Sequence, residues 1–397
     1  MRILTYTSLF PNAKQPLHGI FVYQRVAHLA RRPGNEDVVV APVPYFPRVG
    51  IGGEWGDFAR VPREERISDL SIFHPRYPLL PKVSMLFHGW LMYLGCRALV
   101  RQLHAEIPFD VIDAHFIYPD GFAAVLLGRL LKIPVSVSAR GTDMNVYPSL
   151  ATIRPMLRWT LQHADARITV SDSLRARVAE VAGMRQTIHV IPNGVDAARF
   201  KRIELSEARR KLGLPAEGPC LVSVGSLIES KGHQHLVRAV HRLSKKYEGL
   251  HLSILGDGPY RASLKALAAK LGISERVHFL GKRPNEELPL WYCAATLTCL
   301  ASSREGWPNA LSESLACGTP VVATRVGGVS EIVTGPQFGV LAEPNADSVQ
   351  AAVGCALETQ WDREAIARAS CARTWALVAE EVETVLREAV SKGPTPH

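Results

Sequence analysis

Short apolar runs of strand length alternate with longer amphipathic stretches from one end of this 397-residue chain to the other, and the alternation restarts once. Such a pattern is the signature of βα units around a parallel sheet, so the fold class is α/β. The first series predicts strands at 2–7, 37–41, 111–114, 135–138, 166–170 and 188–191, with helices near 21–31, 86–103, 122–131, 151–163 and 172–181. The second predicts strands at 220–224, 250–255, 277–280, 295–300, 321–323 and 339–341, with helices near 231–246, 260–271, 286–293, 309–317 and 349–357. Each series describes one doubly wound domain. Between them, turn-rich Pro192-Asn-Gly-Val-Asp196, a charged helical stretch at 205–212 and Gly213-Leu-Pro215 place a hinge around 193–218. The expected domains are 1–197 and 198–372. A helical segment, 373–397, follows the second sheet and is expected to pack back on the first domain. Two doubly wound domains facing each other bring the carboxyl ends of both sheets, and their ligand crevices, to one shared cleft.

Composition narrows the class. Apolar residues at 47% and charged residues at 21% exclude disorder, collagen and coiled coil. The seven cysteines are scattered, with no Cys-x-x-Cys pair, which fits a reducing, cytoplasmic setting. Thr5, Thr7 and Ser8 interrupt the apolar start, which reads as a first strand and not as a signal peptide. The longest apolar run, 85–96, contains His88, Gly89 and Gly95 and is too short for the roughly 20 residues of a membrane span.

Of the net charge of +9, residues 1–200 carry +7, with 23 Lys/Arg against 16 Asp/Glu. That bias favours an anionic partner, either a phosphate-bearing substrate or a lipid surface. In the segment 73–101, Trp90, Leu91, Met92 and Tyr93 stand beside Arg76, Lys82, Arg97 and Arg101. Two readings fit: peripheral attachment to an anionic inner membrane face, or a core helix. No base-stacking motif supports a nucleic-acid partner. No Gly-x-Gly-x-x-Gly follows the first strand, so a nicotinamide cofactor is not expected, and no Asp-x-Asp triplet offers metal ligands.

The chemistry is densest in Ser302-Ser-Arg-Glu305-Gly-Trp-Pro-Asn309-Ala-Leu-Ser-Glu313-Ser-Leu-Ala-Cys317-Gly-Thr-Pro320. A strand leads into a loop, Pro308 suits a first helical position, and Gly318 ends the helix. The free N–H groups of Asn309, Ala310 and Leu311 form an anion site fit for a diphosphate. Glu305, just ahead, is placed to accept hydrogen bonds from sugar hydroxyls. Ala310, Glu313, Ser314 and Cys317 share a face whose small side chains let a ribose diol reach Glu313.

This stretch, with two Glu eight positions apart in Glu-Gly-Trp-Pro-Asn-x-x-x-Glu-x-x-Ala-x-Gly-Thr-Pro-Val-Val, resembles the retaining family-4 glycosyltransferases of the GT-B fold. The resemblance implies that Glu305 contacts the donor sugar, with Gly306 and Trp307 beside it. It also implies that the amides from Asn309 to Leu311 hold the diphosphate and that Glu313 binds the nucleotide ribose. In Val222-Ser-Val-Gly225-Ser226-Leu-Ile-Glu-Ser-Lys231-Gly232 a Lys stands at the mouth of a helix, where it neutralises charge on a departing diphosphate. The family usually has Arg directly after the Gly. Here it is Ser226, so Arg140 or Arg283 is expected to replace that cation. Gly256, in Leu255-Gly-Asp-Gly-Pro259, is implied to lie near the nucleotide, and the backbone around Lys282 and Arg283 to line the base.

In the first domain, Gly19 resembles the glycine of the family's first loop, where backbone approaches the donor phosphate or the acceptor. Arg140-Gly-Thr-Asp143 falls where many members have His-Gly-Ser-Asp, so Arg140 puts a permanent cation where a His usually sits. His115, Asp120 and Asp143 are candidates for the acceptor side. The opening Thr-Ser-Leu-Phe-Pro and His-Gly-Ile-Phe are similar to members that build bacterial surface polysaccharides. The resemblance thus implies metal-independent transfer, without a cofactor, from a nucleotide-sugar donor to a glycan or lipid-linked acceptor, uridine being the preferred base. The competing readings are a GT-B-like phosphorylase, a nucleotide-sugar epimerase, or a non-catalytic basic binding protein.

Overall fold

The computed structural model describes residues 1–45, 58–79, 84–183 and 187–395. The chain forms two compact units, Met1–Asn193 with Trp375–His397, and Gly194–Thr374. The sequence placed these boundaries at 197/198 and 372/373. The charged helix Leu205–Leu212 lies inside the second unit, packed through Ala208 against Tyr292 and Cys293, and is not part of a linker.

The first unit is built on an eight-stranded sheet of β1 (Arg2–Tyr6), β2 (Glu36–Val40), β4 (Glu64–Ile67), β5 (Leu70–Phe73), β7 (Val111–His115), β8 (Val135–Ala139), β9 (Ala166–Thr169) and β10 (His189–Val190). Its order is β10-β9-β8-β7-β1-β2-β5-β4, parallel throughout except for β4 on β5. The short strands β3 (Val43–Tyr45) and β6 (Arg76–Pro78) pair beside it. The central strands are buried on both faces, as a covered parallel sheet requires: Ile3, Leu4, Val111 and Ile112 are inaccessible. On one face Val22, Val26 and Phe10 pack on Val39 and Ile72. On the same face Trp375, Val378, Val382 and Leu386 of the helix Trp375–Lys392 cover Ile3, Val111 and Ile168, beside the helix Ile20–Ala30.

Four strands between residues 43 and 78 were not expected. Val43-Pro44-Tyr45 is only three residues long, and Glu64-Glu65-Arg66-Ile67 is a charged edge strand without apolar alternation. Within the segment 73–101 one face of the helix is core. In the helix His88–Glu106, Met92, Cys96, Val100 and Leu103 are buried, whereas Trp90 and Leu94 are exposed. Lys82 lies outside the described residues. No helix among the described residues is long and apolar enough to cross a membrane.

The second unit carries a six-stranded parallel sheet, β13-β12-β11-β14-β15-β16, from β11 (Cys220–Val224), β12 (His251–Leu255), β13 (Val277–Gly281), β14 (Leu297–Leu300), β15 (Val321–Thr324) and β16 (Gly339–Ala342). In each sheet the chain runs outward from a central strand and then returns to its other side. The strand order therefore reverses between β1 and β7 in the first unit and between β11 and β14 in the second. Ligand crevices of doubly wound sheets open at the carboxyl ends of such strands. The loops after Tyr6, His115, Val224 and Leu300 are thus where function belongs.

Candidate functional site

In the second unit the loops after β11 and β14 are sewn together. Ser303 N–H donates to the Ser230 carbonyl at 2.8 Å. Gly232 adopts φ +69° and approaches β14 so closely that a Cβ there would lie 1.7 Å from the Ala301 carbonyl oxygen. Only glycine is compatible with both constraints. The consequence is positional: Lys231 Nζ meets Glu305 Oε1 at 2.6 Å, and Ser302 Oγ donates to the same oxygen, also at 2.6 Å. Glu305 and Gly306 are buried, and the Gly306 carbonyl accepts the Gly328 N–H at 3.1 Å. Lys231 itself sits in a 3-10 turn, Glu229–Lys231, ahead of the helix His233–Leu243. This corrects the expected helix start at Lys231: the left-handed Gly232 separates turn from helix.

The helix Asn309–Ala316 opens from the same loop. Pro308 is its cap, with extended ψ of 93°, and not its first helical residue. Of the three expected amides, Leu311 N–H is already taken by the Pro308 carbonyl at 3.0 Å. Glu313 is half-buried and accepts a hydrogen bond from Tyr292 Oη at 2.8 Å. Burial pushes its carboxyl up to about 7, against the opposing pull of that hydrogen bond and of Arg199. Ser314 is turned away to the Thr319 carbonyl, at 3.0 Å.

Exposed Ser226 rides on the neighbouring turn, where Leu227 N–H donates to the Asp257 carbonyl at 3.0 Å and Gly256 N–H to the Gly281 carbonyl at 2.8 Å. Lys282 is exposed, Arg283 lies 3.9 Å from Glu287, and Trp307 is half-buried with its indole N–H unpartnered. Tyr292 and Ser302 were not singled out as partners of the two carboxylates. The Ser-x-x-Glu spacing could have revealed Ser302; nothing local marks Tyr292.

In the first unit the candidates form a buried charge cluster. Arg25 grips Asp113 through both carboxylate oxygens, at 3.2 and 2.9 Å, and donates to Ser138 Oγ at 2.9 Å. His115 Nε2 lies 3.5 Å from Asp113, and its Nδ1 accepts from Arg140. Burial, with Arg140 and Arg25 alongside, pushes the imidazole well below its ordinary value, so it is neutral. Arg140 also donates to Asn193 Oδ1 at 3.2 Å. Burial and the charge of Arg25 lower its guanidinium to about 9, still a cation at neutral pH.

The acceptor-side candidates lie inside the loops that they order. His115, Asp120 and Asp143 have no exposure. Asp143 accepts the amides of Ile117 (3.0 Å), Gly141 (2.8 Å) and Arg140 (3.1 Å), and Asp120 accepts that of Ser8. Burial raises the Asp120 carboxyl to about 7. Gly19, at φ +63°, makes its close approach to its own chain: a Cβ would fall 2.2 Å from the Leu9 carbonyl oxygen. Its glycine requirement thus comes from loop packing.

Comparisons with known proteins complete the picture. Residues 205–372 match the family model described as glycosyl transferases group 1, and residues 21–199 match that of glycosyltransferase family 4. The putative teichuronic acid biosynthesis glycosyltransferase TuaC of Bacillus subtilis is 27% identical over 379 residues, covering 92% of this chain and 90% of that one. The 2-deoxystreptamine glucosyltransferase of Streptomyces kanamyceticus is 30% identical over 311 residues, covering 72% and 79%. Among solved structures, Anabaena Alr3699/HepE in complex with UDP superposes with a TM-score of 0.73 at 19% identity, covering 98% of this chain and 100% of that one.

Proposed function

The chain belongs to the GT-B glycosyltransferases with a group 1 and a family 4 module, and from that premise we propose that it transfers a sugar from a nucleotide diphosphate sugar to an acceptor hydroxyl with the anomeric configuration retained. What supports this most is the convergence, at the β11/β14 reversal, of Lys231, Glu305 and the opening of the helix Asn309–Ala316. A cation and backbone amides suit a diphosphate, and a carboxylate beside them suits sugar hydroxyls. Glu305 holds the donor sugar, Glu313 the ribose, and Lys231 the leaving diphosphate. Arg140, still a cation at neutral pH, is the first unit's own candidate for contact with substrate.

The step is a front-face substitution. The acceptor oxygen bonds to the anomeric carbon as the bond to the phosphate oxygen breaks, and that oxygen takes the acceptor proton. No protein base is needed, and catalysis rests on positioning and on charge placed for the leaving group. Because Lys231 and the amides supply that charge, turnover is metal-independent; a strict Mn²⁺ requirement abolished by chelators would contradict it. The pathway is polysaccharide or glycolipid assembly, with UDP the preferred carrier, in keeping with the likeness to TuaC and with the UDP bound by the Anabaena protein. Exposed Phe87, Trp90 and Leu94, followed by exposed Arg97 and Arg101, favour docking of the first unit on an anionic membrane surface, read by flotation with anionic against zwitterionic vesicles.

The deciding experiment is donor hydrolysis and transfer across UDP-, GDP- and ADP-sugars. One carrier is expected to be turned over, and Glu305→Ala is expected to abolish turnover with the fold intact. Unimpaired activity in that variant defeats the assignment.

A further inference from the structure

A cavity of about 360 Å³ at the carboxyl ends of β1, β2 and β7 takes no part in the chemistry above. Leu9, Phe10, Val43, Phe58, Leu79 and Phe116 provide much of its wall. Of its polar side chains, His74, Tyr77, His88, Asn12 and His18 are engaged with protein. His74 bonds the Ala41 carbonyl at 2.9 Å and Glu65 at 2.6 Å, and Tyr77 Oη meets His88 Nε2 at 2.8 Å. Asn12 Oδ1 accepts the amides of Lys14 and Gln15, each at 3.0 Å, and His18 Nε2 lies 3.1 Å from the Ser8 carbonyl. None of its described lining residues is Lys, Arg, Asp or Glu. A pocket for a phosphate sets charged donors into its wall; this one presents mostly carbon.

Phe116 marks the cavity as more than a packing fault. It holds φ +86°, a region that a bulky residue rarely enters, directly after His115. The strained residue contributes to the cavity wall and meets Tyr147 edge to face at 6.0 Å. The same wall thus borders the loops that carry His115 and Arg140. On another side, His88 begins the helix whose outer face carries exposed Trp90 and Leu94.

We propose that this cavity seats a hydrocarbon segment of the acceptor, so that the acceptor is a lipid-linked amphiphile whose apolar part enters the first unit while its hydroxyl stays with the Arg140 loop. The proposal rests on the transferase reading. The exposed apolar strip gives the remainder of such a chain a route toward a bilayer.

The test is isothermal titration of the full chain with alkyl β-glucosides from methyl to decyl, all below their micelle concentrations. Binding of the nucleoside diphosphate selected by the donor panel is measured in parallel. Affinity is expected to rise about two- to fourfold per methylene and then level off once the cavity is filled. Leu79→Trp, which fills the cavity without burying charge, should bring the plateau to a shorter chain. Leu79→Asp should flatten the series, and neither should change nucleotide affinity. A flat wild-type series overturns the proposal. So does a series that climbs without levelling, as partition onto a surface does, or a plateau that Leu79→Trp leaves in place. Should Leu79→Asp fail to fold, the wild-type plateau and Leu79→Trp decide. If no nucleoside diphosphate binds, the transferase reading falls, and the alkyl series still reports what the cavity holds.

Discussion

Arg25 and Lys231 each donate to a carboxylate near the carboxyl end of a central strand, yet the Arg25 side chain is 2% exposed and that of Lys231 27%. In the first unit, charge is spent inward: Arg25, Asp113, His115 and Asp143 satisfy one another and the amides of the loops after β7 and β8. In the second, Lys231 bonds the buried Glu305 at the rim of a loop, and only the lysine keeps a side open to water. Breaking a desolvated pair leaves a charge with no solvent to receive it, whereas a half-hydrated pair can exchange its partner for a ligand. Charge in the first unit therefore organises loops, and the pair in the second is the one that the proposed reading assigns to the donor.

Asp113→Ala should have the largest effect on stability, a loss of about 3–5 kcal/mol, because it strands the buried Arg25 guanidinium. Urea denaturation reads this directly, and a loss under about 1 kcal/mol would erase the contrast between the units. Lys231→Ala should do the reverse. Its stability cost should be smaller, about 1–2 kcal/mol, since Lys231 is partly hydrated and the buried Glu305 keeps its hydrogen bond from Ser302, while kcat falls about 10²–10³-fold through lost stabilisation of the leaving group. A variant that turns over normally would make Lys231 a structural residue like Arg25.

Glu313 gives the smallest and sharpest effect. Its folded value of about 7 lies above the ordinary 4.5, so the folded chain keeps this proton to higher pH than the unfolded one. Its contribution to stability is full below about 4.5 and is lost as pH rises to about 7. Glu313→Gln should flatten that part of the Tm–pH curve, while the share from Asp120, also raised to about 7, persists. Nucleotide binding should tighten as wild-type Glu313 ionises and lose that pH dependence in the variant; titrations at pH 6 and 8 separate the two.

Both sheets were largely legible in the sequence because parallel strands covered on two faces are continuous apolar runs, such as Cys220–Val224 and Val321–Thr324. The strands β3 to β6 were not, since β4 is a charged edge strand, β3 and β6 are proline-containing triplets, and the apolar β5 is only four residues long. Glu305, Asn309 and Glu313 were legible as candidates because they are local to one strand–loop–helix passage. Arg25 reads as a solvated charge on an amphipathic helix, and only the parallel packing of β7 and β8 beneath it reveals that it is enclosed. Tyr292 stands 21 positions before the carboxylate that it holds, a pairing that only the tertiary fold creates.

The helix Trp375–Lys392 closes a sheet whose first strand begins at Arg2, with the whole of Gly194–Thr374 in between. On a ribosome that adds about 5–20 residues per second, the intervening segment takes on the order of 10–40 s to emerge. Throughout that interval Ile3, Val111 and Ile168 await their cover. The nascent chain thus keeps part of an apolar sheet face uncovered until the last helix emerges, the kind of surface on which unfinished chains associate. A premature stop near residue 374 would leave that exposure permanent.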